Sequence, residues 1–137
     1  MDCIFCKIVS GNMPARKIEE TQKSLAFLDA FPLTKGHTLV IPKTHYAKIQ
    51  EMTKEDSSDL FELAKTITNK LESLFPASLI AIHNGKESGQ EVPHVHIHLI
   101  PRNSSDKAGP VHSLFSSRPK FTDIELDEIV NTLRNTK

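Results

Sequence analysis

The stretch His94-Val95-His96-Ile97-His98 decides how the rest of this chain is interpreted. Three histidines alternate with aliphatic residues, and the run continues apolar through Leu99-Ile100. Side chains alternate between the two faces of a β-strand, so the pattern predicts a strand from His94 to Ile100. The three imidazoles are expected on one face, and Val95, Ile97 and Leu99 in the core.

This histidine row has three possible interpretations: an exposed strand face, a catalytic zinc site, or a histidine nucleophile with supporting histidines. Histidine is neither a strong strand former nor a common surface residue, which disfavours the first. Same-face positions of a strand lie roughly 6.5 to 7 Å apart, so three of them hardly converge on one ion without outside ligands. A neutral imidazole is a competent nucleophile toward phosphorus, and a neighbouring imidazolium can neutralise phosphoryl oxygens. We therefore favour phosphorus chemistry.

A loop directly before the row contains Asn84, Gly85, Gly89 and Gln90. Its backbone N–H groups and side-chain amides could meet a phosphate, although such loops are usually only turns. Its position beside the histidines favours the interpretation as a phosphate-binding loop. Asp29, at the end of an apolar segment, could bind ribose hydroxyls or be an ordinary turn residue.

The two cysteines form the pair Cys3-x-x-Cys6. A redox motif should follow a strand and open a helix, but only two residues precede Cys3. Half of a zinc site is the favoured alternative, and two ordinary buried cysteines remain another. Two thiolates need two further ligands, which the seven histidines can supply, and spacing alone does not say which two.

Hydrophobic periodicity outward from the row predicts an α+β fold with a mainly antiparallel sheet. A long helix should begin near the N-cap residue Thr53 and end by Pro76, and a capping box at Thr122 predicts a C-terminal helix. The apolar stripe of the long helix is predicted to contain Leu60, Ala64, Ile67, Leu71 and Leu74. The other predicted strands are Lys17–Glu20, Ser24–Asp29, Thr38–Ile41 and Leu79–Ile82.

The bulk composition predicts a single domain of 137 residues with an ordinary globular balance. Seventeen basic residues match seventeen acidic ones, so no positive field favours nucleic acid. Neither a signal peptide nor a transmembrane segment is recognisable, and we expect an intracellular, cytoplasmic protein.

The chain resembles the histidine-triad (HIT) family in motifs that follow one another in family order over most of its length. These motifs are Cys3-Ile-Phe-Cys6-Lys-Ile8, Leu25-Ala-Phe27-Leu-Asp29, Gly36-His37-Thr-Leu-Val-Ile-Pro42-Lys-Thr-His45, Asn84-Gly85, Gly89-Gln90 and His94-Val-His96-Ile-His98-Leu-Ile-Pro101-Arg102. The resemblance implies a five-stranded antiparallel sheet with one long helix and a C-terminal helix. It also implies a homodimer formed through the long helix and a shared sheet edge.

The resemblance further implies a nucleotidyl hydrolase or transferase acting on purine nucleotide derivatives, such as diadenosine polyphosphates or nucleoside phosphoramidates. His96 would attack the α-phosphorus and form a covalent nucleotidyl-histidine, with His98 at the phosphate and His37 orienting the triad. The implied nucleotide-binding residues are Ile8, Phe27 and Leu28 at the base, Asp29 at the ribose, and Asn84, Gly89, Gln90 and His98 at the phosphate. The implied ligands of a structural Zn²⁺ are Cys3, Cys6, His45 and His94.

One position departs from part of the family. Glu91 follows Gln90, where phosphoramidate-cleaving members often place a serine that assists the leaving amine. The leaving group is therefore left open at this point. Two other functions compete with the main hypothesis: a zinc-stabilised purine-nucleotide-binding or interaction module with little turnover, and hydrolysis by a catalytic zinc ion.

Overall fold

Five strands form one antiparallel sheet in the order β1-β2-β3-β5-β4. The computed structural model describes residues 2–137, which divide into two compact units with the boundary after Asp106. The first unit contains helix α1 (Ile4–Val9), strands β1 (Lys17–Glu20), β2 (Ser24–Leu28) and β3 (Thr38–Pro42), helix α2 (Lys54–Glu72), and strands β4 (Ala77–Ala81) and β5 (Ile97–Arg102). Short 3₁₀ turns occur at Ile49–Glu51 and Lys86–Ser88. The antiparallel α+β architecture predicted from the sequence is confirmed.

Helix α2 covers one face of the sheet, as its hydrophobic period predicts. The Thr53 hydroxyl accepts a hydrogen bond from the N–H of Asp56 and caps the first turn, where it satisfies a donor that the helix cannot. Leu60, Leu63, Ala64, Ile67 and Leu71 are buried against the sheet. The prediction that Leu74 belongs to the stripe is wrong, because the helix ends at Glu72 and Leu74 is 78% exposed.

The central strands β2 and β3 are buried on both faces. Ala26 and Val40 point toward α2, whereas their neighbours Leu25, Leu39 and Ile41 belong to a second apolar cluster on the opposite face. Burial on both faces explains why the residues at the centre of these strands are apolar on successive positions instead of alternating with polar residues.

Helix α1 covers part of the second face and was not predicted. It is only six residues long, and its N-cap is Cys3, whose sulfur accepts a contact from the Cys6 N–H at 3.4 Å. Phe5 and Ile8 are buried in the second cluster. A helix this short owes its stability to tertiary packing, which its own sequence does not reveal.

The second unit, Lys107–Lys137, contains a 3₁₀ turn at Val111–Leu114 and helix α3 (Asp123–Asn135). The capping box predicted at Thr122 is present: its hydroxyl accepts from the Glu125 N–H, and Glu125 accepts from the Thr122 N–H. Within residues 2–137, none of the helices is long and apolar enough to cross a membrane. A single domain for the whole chain stays a prediction.

Candidate active site and metal-binding cluster

The histidines and aliphatic residues of the central row lie on opposite sides of the backbone. Val95, Ile97 and Leu99 pack in the cluster under α2, as predicted. His94 and His96 face the other side, where the ring of Phe5 meets both in edge-to-face contacts. His94 is 0% and His96 6% exposed, so the interpretation of the row as a solvated strand face is wrong.

The regular strand does not begin where the sequence predicted. Strand β5 starts at Ile97, and the N–H of Val95 donates to the carbonyl of Tyr46 at 2.7 Å instead of joining the sheet ladder. The predicted start at His94 is therefore wrong. Because the chain is outside the sheet ladder at Val95, His94 is directed away from His98 and toward the N-terminal helix.

Cys3, Cys6, His45 and His94 form a compact cluster of ligand atoms. The Nδ1 atom of His94 lies 3.4 Å from the Cys3 sulfur, 3.6 Å from the Cys6 sulfur and 3.2 Å from Nδ1 of His45. The Cys6 sulfur lies 3.4 Å from Nδ1 of His45. Tetrahedral coordination at ordinary zinc bond lengths places sulfur and nitrogen ligands about 3.3 to 3.8 Å apart. The cluster can hold such an ion.

The tautomer of His94 suits it to this role. Its Nε2 lies 2.8 Å from the carbonyl oxygen of Pro42, which only accepts, so Nε2 carries the proton and Nδ1 keeps its lone pair. Burial lowers the pKa of His94 to about 4, which keeps the ring neutral. Burial also raises the pKa of the Cys6 thiol, and the neighbouring Cys3 sulfur raises it further. A bound cation would favour the Cys6 thiolate, and so would offset the effects of burial and of the Cys3 sulfur on the pKa of the Cys6 thiol.

In His96 the proton and the lone pair are on the opposite nitrogens from those in His94. Its Nδ1 lies 2.7 Å from the carbonyl oxygen of His94 and must donate to it. The lone pair is therefore on Nε2. Burial is the largest influence on the pKa of His96 and lowers it, which also favours the neutral, nucleophilic ring.

His37 and His98 are joined by a hydrogen bond whose direction follows from the backbone. The N–H of Leu33 donates to Nδ1 of His37, so the His37 proton is on Nε2. That Nε2–H lies 3.0 Å from Nδ1 of His98 and donates to it. His98 consequently carries its own proton on Nε2. Burial lowers the pKa of His37, and burial together with the nearby imidazoles lowers the pKa of His98 to about 4.

Asp29 lies beside this pair at the end of β2. One carboxylate oxygen accepts from the Phe31 N–H at 2.8 Å, and the other lies 3.6 Å from Nε2 of His37. Asp29 therefore combines a turn role with proximity to the histidine chain, and both interpretations of it agree with this geometry.

The remaining residues of the implied base site differ in accessibility. Ile8 and Phe27 are 5% and 3% exposed and belong to the second apolar cluster, whereas Leu28 is 37% exposed. Leu28 directly precedes Asp29, so an accessible apolar side chain adjoins a carboxylate. Ile8 and Phe27 belong to the packed layer of the second cluster, which does not include Leu28.

The loop before the triad is tied to the segment 47–50. The Asn84 carboxamide accepts from the Ile49 N–H and donates to Gln50, and the Gln90 carboxamide accepts from the Gly85 N–H and donates to the Ala47 carbonyl. Both amides are thus engaged within the loop region. A cavity of about 720 Å³ borders this loop; its lining residues are Lys48, Asn84, Gly85, Lys86, Glu87 and Ser88.

Sequence reasoning missed a further imidazole beside the triad, that of His83. Its ring centroid lies 5.4 Å from that of His98. The signal was the register of the edge strand: Ala81 pairs with His98, so continuing by two residues brings His83 opposite His96. That register was not available from the strand boundaries expected at Leu79–Ile82.

The comparisons with known proteins agree with this architecture. The HIT domain matches residues 10–105, and the chain belongs to the HIT family. An uncharacterised HIT-like protein of Methanocaldococcus jannaschii is 39% identical over 96% of this chain and 98% of its own length. The adenosine 5′-monophosphoramidase of Schizosaccharomyces pombe is 45% identical over 77% of this chain and 78% of its own.

Solved structures of the family superpose over almost the whole chain. A HIT-family protein from Bacillus subtilis matches with a TM-score of 0.83 and 34% identity, covering 98% of this chain and 96% of that one. A zinc-bound histidine triad family protein from Mycobacterium smegmatis matches with a TM-score of 0.74 and 34% identity over the same shares. The HIT fold of this chain is thereby established.

Proposed function

We propose that this chain is a nucleotidyl hydrolase or transferase that cleaves 5′-phosphoryl derivatives of purine nucleotides through a covalent nucleotidyl-His96. The observation that carries the proposal is the fixed orientation of two neighbouring rings. His96 has its lone pair on Nε2, and His98 has a proton on Nε2. Their ring centroids are 5.0 Å apart, so a nucleophile and a hydrogen-bond donor lie side by side.

In the first step, the Nε2 lone pair of His96 attacks the α-phosphorus, and the bond from phosphorus to the leaving group breaks. The Nδ1–H of His96 continues to donate to the carbonyl oxygen of His94. This hydrogen bond stabilises the positive charge that develops on the ring. The Nε2–H of His98 donates to a non-bridging phosphoryl oxygen. In the second step, water or another acceptor attacks phosphorus and releases His96.

The nucleotide would be held by residues flanking the triad. Asp29 is proposed to accept from the ribose hydroxyls, and Ile8, Phe27 and Leu28 to line the base site. Because the Asn84 and Gln90 amides hold their loop in place, we propose that they and Gly89 shape the phosphate site through the loop backbone. The phosphoramidase activity named for the Schizosaccharomyces pombe relative supports a nucleoside phosphoramidate as one substrate.

We further propose that the cysteine and histidine cluster binds a structural zinc ion. Four protein ligands close a tetrahedral site and leave no position for a water, which disfavours hydrolysis by the metal. When bound, zinc would supply a rigid link between the N-terminal helix and His94. His94 then fixes the carbonyl that orients His96.

The proposed assembly is a homodimer, and the proposed location is the cytoplasm. Ile80 on edge strand β4 is 53% exposed and Phe61 on α2 is 43% exposed, which supports pairing through these two elements. Both cysteines are free, and thiolate ligands persist in a reducing compartment.

The test of the proposed function is capture of the intermediate. The protein is mixed with the 4-nitrophenyl ester of AMP, quenched in alkali and analysed by intact-mass and peptide mass spectrometry. We expect one nucleotidyl adduct on His96, absent from His96→Ala and present in the control His112→Ala, whose ring lies exposed outside the first unit. A His96→Ala protein with full turnover would contradict the assignment. Binding of AMP without any adduct or turnover would support the alternative of a nucleotide-binding module.

A further inference from the structure

The imidazole of His83 faces the same side of the sheet as the reactive histidines. Partners across an antiparallel ladder share a face, and Ala81 is paired with His98. His83 lies two residues beyond Ala81 and therefore returns to that face. Its ring meets that of His98 at an interplanar angle of 74°. A charge on His83 lowers the pKa of both His96 and His98, which places it within electrostatic reach of the two rings.

The loop before the triad leaves space for this ring. Gly89 has a φ of +105°, and a Cβ atom there would lie 3.3 Å from Cδ2 of His83. A side chain at position 89 would be strained by its backbone and would press on the imidazole. The glycine thus keeps the His83 ring unobstructed beside His98.

His83 differs from the other imidazoles of the site in the hydrogen bonds of its ring nitrogens. The lone pair of His37 Nδ1 accepts from Leu33, and that of His98 Nδ1 accepts from His37. Adding a second proton to either ring would break one of these bonds. His96 uses its lone pair for attack. Within residues 2–137, neither nitrogen of the half-buried His83 ring has a hydrogen-bond partner, so an N–H on either nitrogen would break no existing bond.

We propose that His83 is the general acid that protonates the leaving group when His96 attacks the α-phosphorus. This inference rests on the proposed function, because it assigns the one proton transfer that the nucleophilic mechanism leaves open. His98 remains the donor to the non-bridging oxygen, and His83 acts on the group that departs.

The proton balance closes over the two steps. As the His96 Nε2–phosphorus bond forms and the phosphorus–leaving-group bond breaks, the His83 imidazolium gives its proton to the departing oxygen or nitrogen and becomes neutral. Water then attacks phosphorus and gives a proton to His83, while the electron pair of the breaking bond returns to Nε2 of His96. The imidazolium and the free nucleophile are both restored.

The proposal also addresses leaving-group specificity. Amines and alkoxides are basic and leave only when they are protonated, whereas a nitrophenolate leaves without help. General acid catalysis typically contributes about 100- to 10,000-fold. His83, in the segment that follows β4, would therefore assist the leaving group, a task that the resemblance assigns to a serine at the position of Glu91 in phosphoramidate-cleaving members.

The test compares His83→Asn with the wild type on two AMP esters that differ only in the leaving phenol. Single-turnover rates are measured with the 4-nitrophenyl ester and with the more basic phenyl ester. We expect the variant to lose about 100-fold or more on the phenyl ester and less than about tenfold on the nitrophenyl ester. The matched control His112→Asn should equal the wild type on both.

The result on the nitrophenyl ester shows whether the variant is folded and forms its adduct. Equal losses on the two esters, including complete inactivity, would overturn the proposal because they indicate a structural role. Unchanged rates on both would overturn it as well. Failure of the proposed function looks different: the wild type itself would form no nucleotidyl-His96 from either ester.

Discussion

Nε2 of His37 lies 3.0 Å from Nδ1 of His98, and this bond decides which nitrogen of His98 carries a proton. The direction is imposed from outside the site by the Leu33 N–H, which occupies the other nitrogen of His37. A backbone amide thus determines the polarity of a chain that ends at the proposed phosphate site. His37 acts through His98 and is a positioning residue in the proposed mechanism.

Replacing His37 by alanine should impair this orientation without removing the nucleophile. His98 would lose its donor and would exchange between tautomers, and we expect kcat to fall by about 100-fold with a smaller change in KM. Nitrogen NMR of the labelled protein should show His98 shifting from one tautomer to a mixture. Glu62→Ala, an exposed change on α2, is the control. Unchanged His98 resonances in His37→Ala would refute the positioning role.

The stability of the fold should decline in mild acid because of His98. The pKa of His98 is lowered to about 4, while the unfolded chain titrates at its ordinary value of 6.5. Between these values the unfolded state takes up a proton that the folded state refuses. Stability is therefore unaffected by this group above pH 6.5 and is lost as the pH falls toward 4.

This pH effect can be isolated with His98→Asn. Between pH 6.5 and 4 the variant should lose about 1 to 3 kcal/mol less unfolding free energy than the wild type. The measurement is urea unfolding of both proteins at matched zinc loading. Parallel pH profiles for the two proteins would show that His98 does not contribute to the acid sensitivity.

Local signals predicted the elements that are stabilised locally. Helix α2 has a regular apolar period and a side-chain cap at Thr53, and both can be recognised from residues within the helix segment itself. The edge strand Lys17–Glu20 is mostly exposed and is followed directly by a turn. In these segments, propensity, pattern and tertiary packing all favour the same structure.

The errors fall where distant contacts determine the backbone. Val95 bonds to Tyr46 instead of a neighbouring strand, so the strand begins at Ile97, three residues later than predicted. The helix after Cys3 is stabilised by burial of Phe5 and Ile8 under the sheet. Neither contact has a signature in the local sequence.

The resemblance implied which residues lie close together in the cysteine and histidine cluster, but not how the rings of the candidate site are oriented. The four cluster residues Cys3, Cys6, His45 and His94 are close together, as the resemblance implied. The tautomers depend on carbonyls of Pro42 and His94 and on the Leu33 amide, which no motif specifies. His83 was missed because its place depends on strand register.

Loss of the proposed zinc ion should lower the thermal stability of the protein more than it lowers the reaction rate. We expect His45→Asn to lose bound zinc and to melt about 10 °C lower, since a loss of about 3 kcal/mol moves the midpoint of a chain this size by roughly that much. Metal analysis and calorimetry check both effects. His112→Asn, which changes an exposed histidine in the same way, should keep its zinc and its melting temperature.

The same variant distinguishes structural from catalytic zinc. At a temperature where His45→Asn is still folded, its nucleotidylation rate per folded molecule should remain within about tenfold of the wild type, because His96 supplies the nucleophile. A loss of about 1,000-fold in a folded, zinc-free protein would instead show that the metal participates in the reaction.

Gly36 and Gly11 offer a matched pair for testing how closely the loop before His37 must pack. Both have positive φ, +89° and +83°, so alanine is strained equally at each, by about 1 to 2 kcal/mol. A Cβ at Gly11 would meet nothing within 4 Å, whereas one at Gly36 would lie 3.0 Å from Phe75 and 3.3 Å from Pro101. Gly36→Ala should therefore cost about 1 to 3 kcal/mol more than Gly11→Ala in urea unfolding. Because Gly36 adjoins His37, only that variant should also lower kcat; equal stability and activity in the two variants would show that the contact with Phe75 relaxes freely.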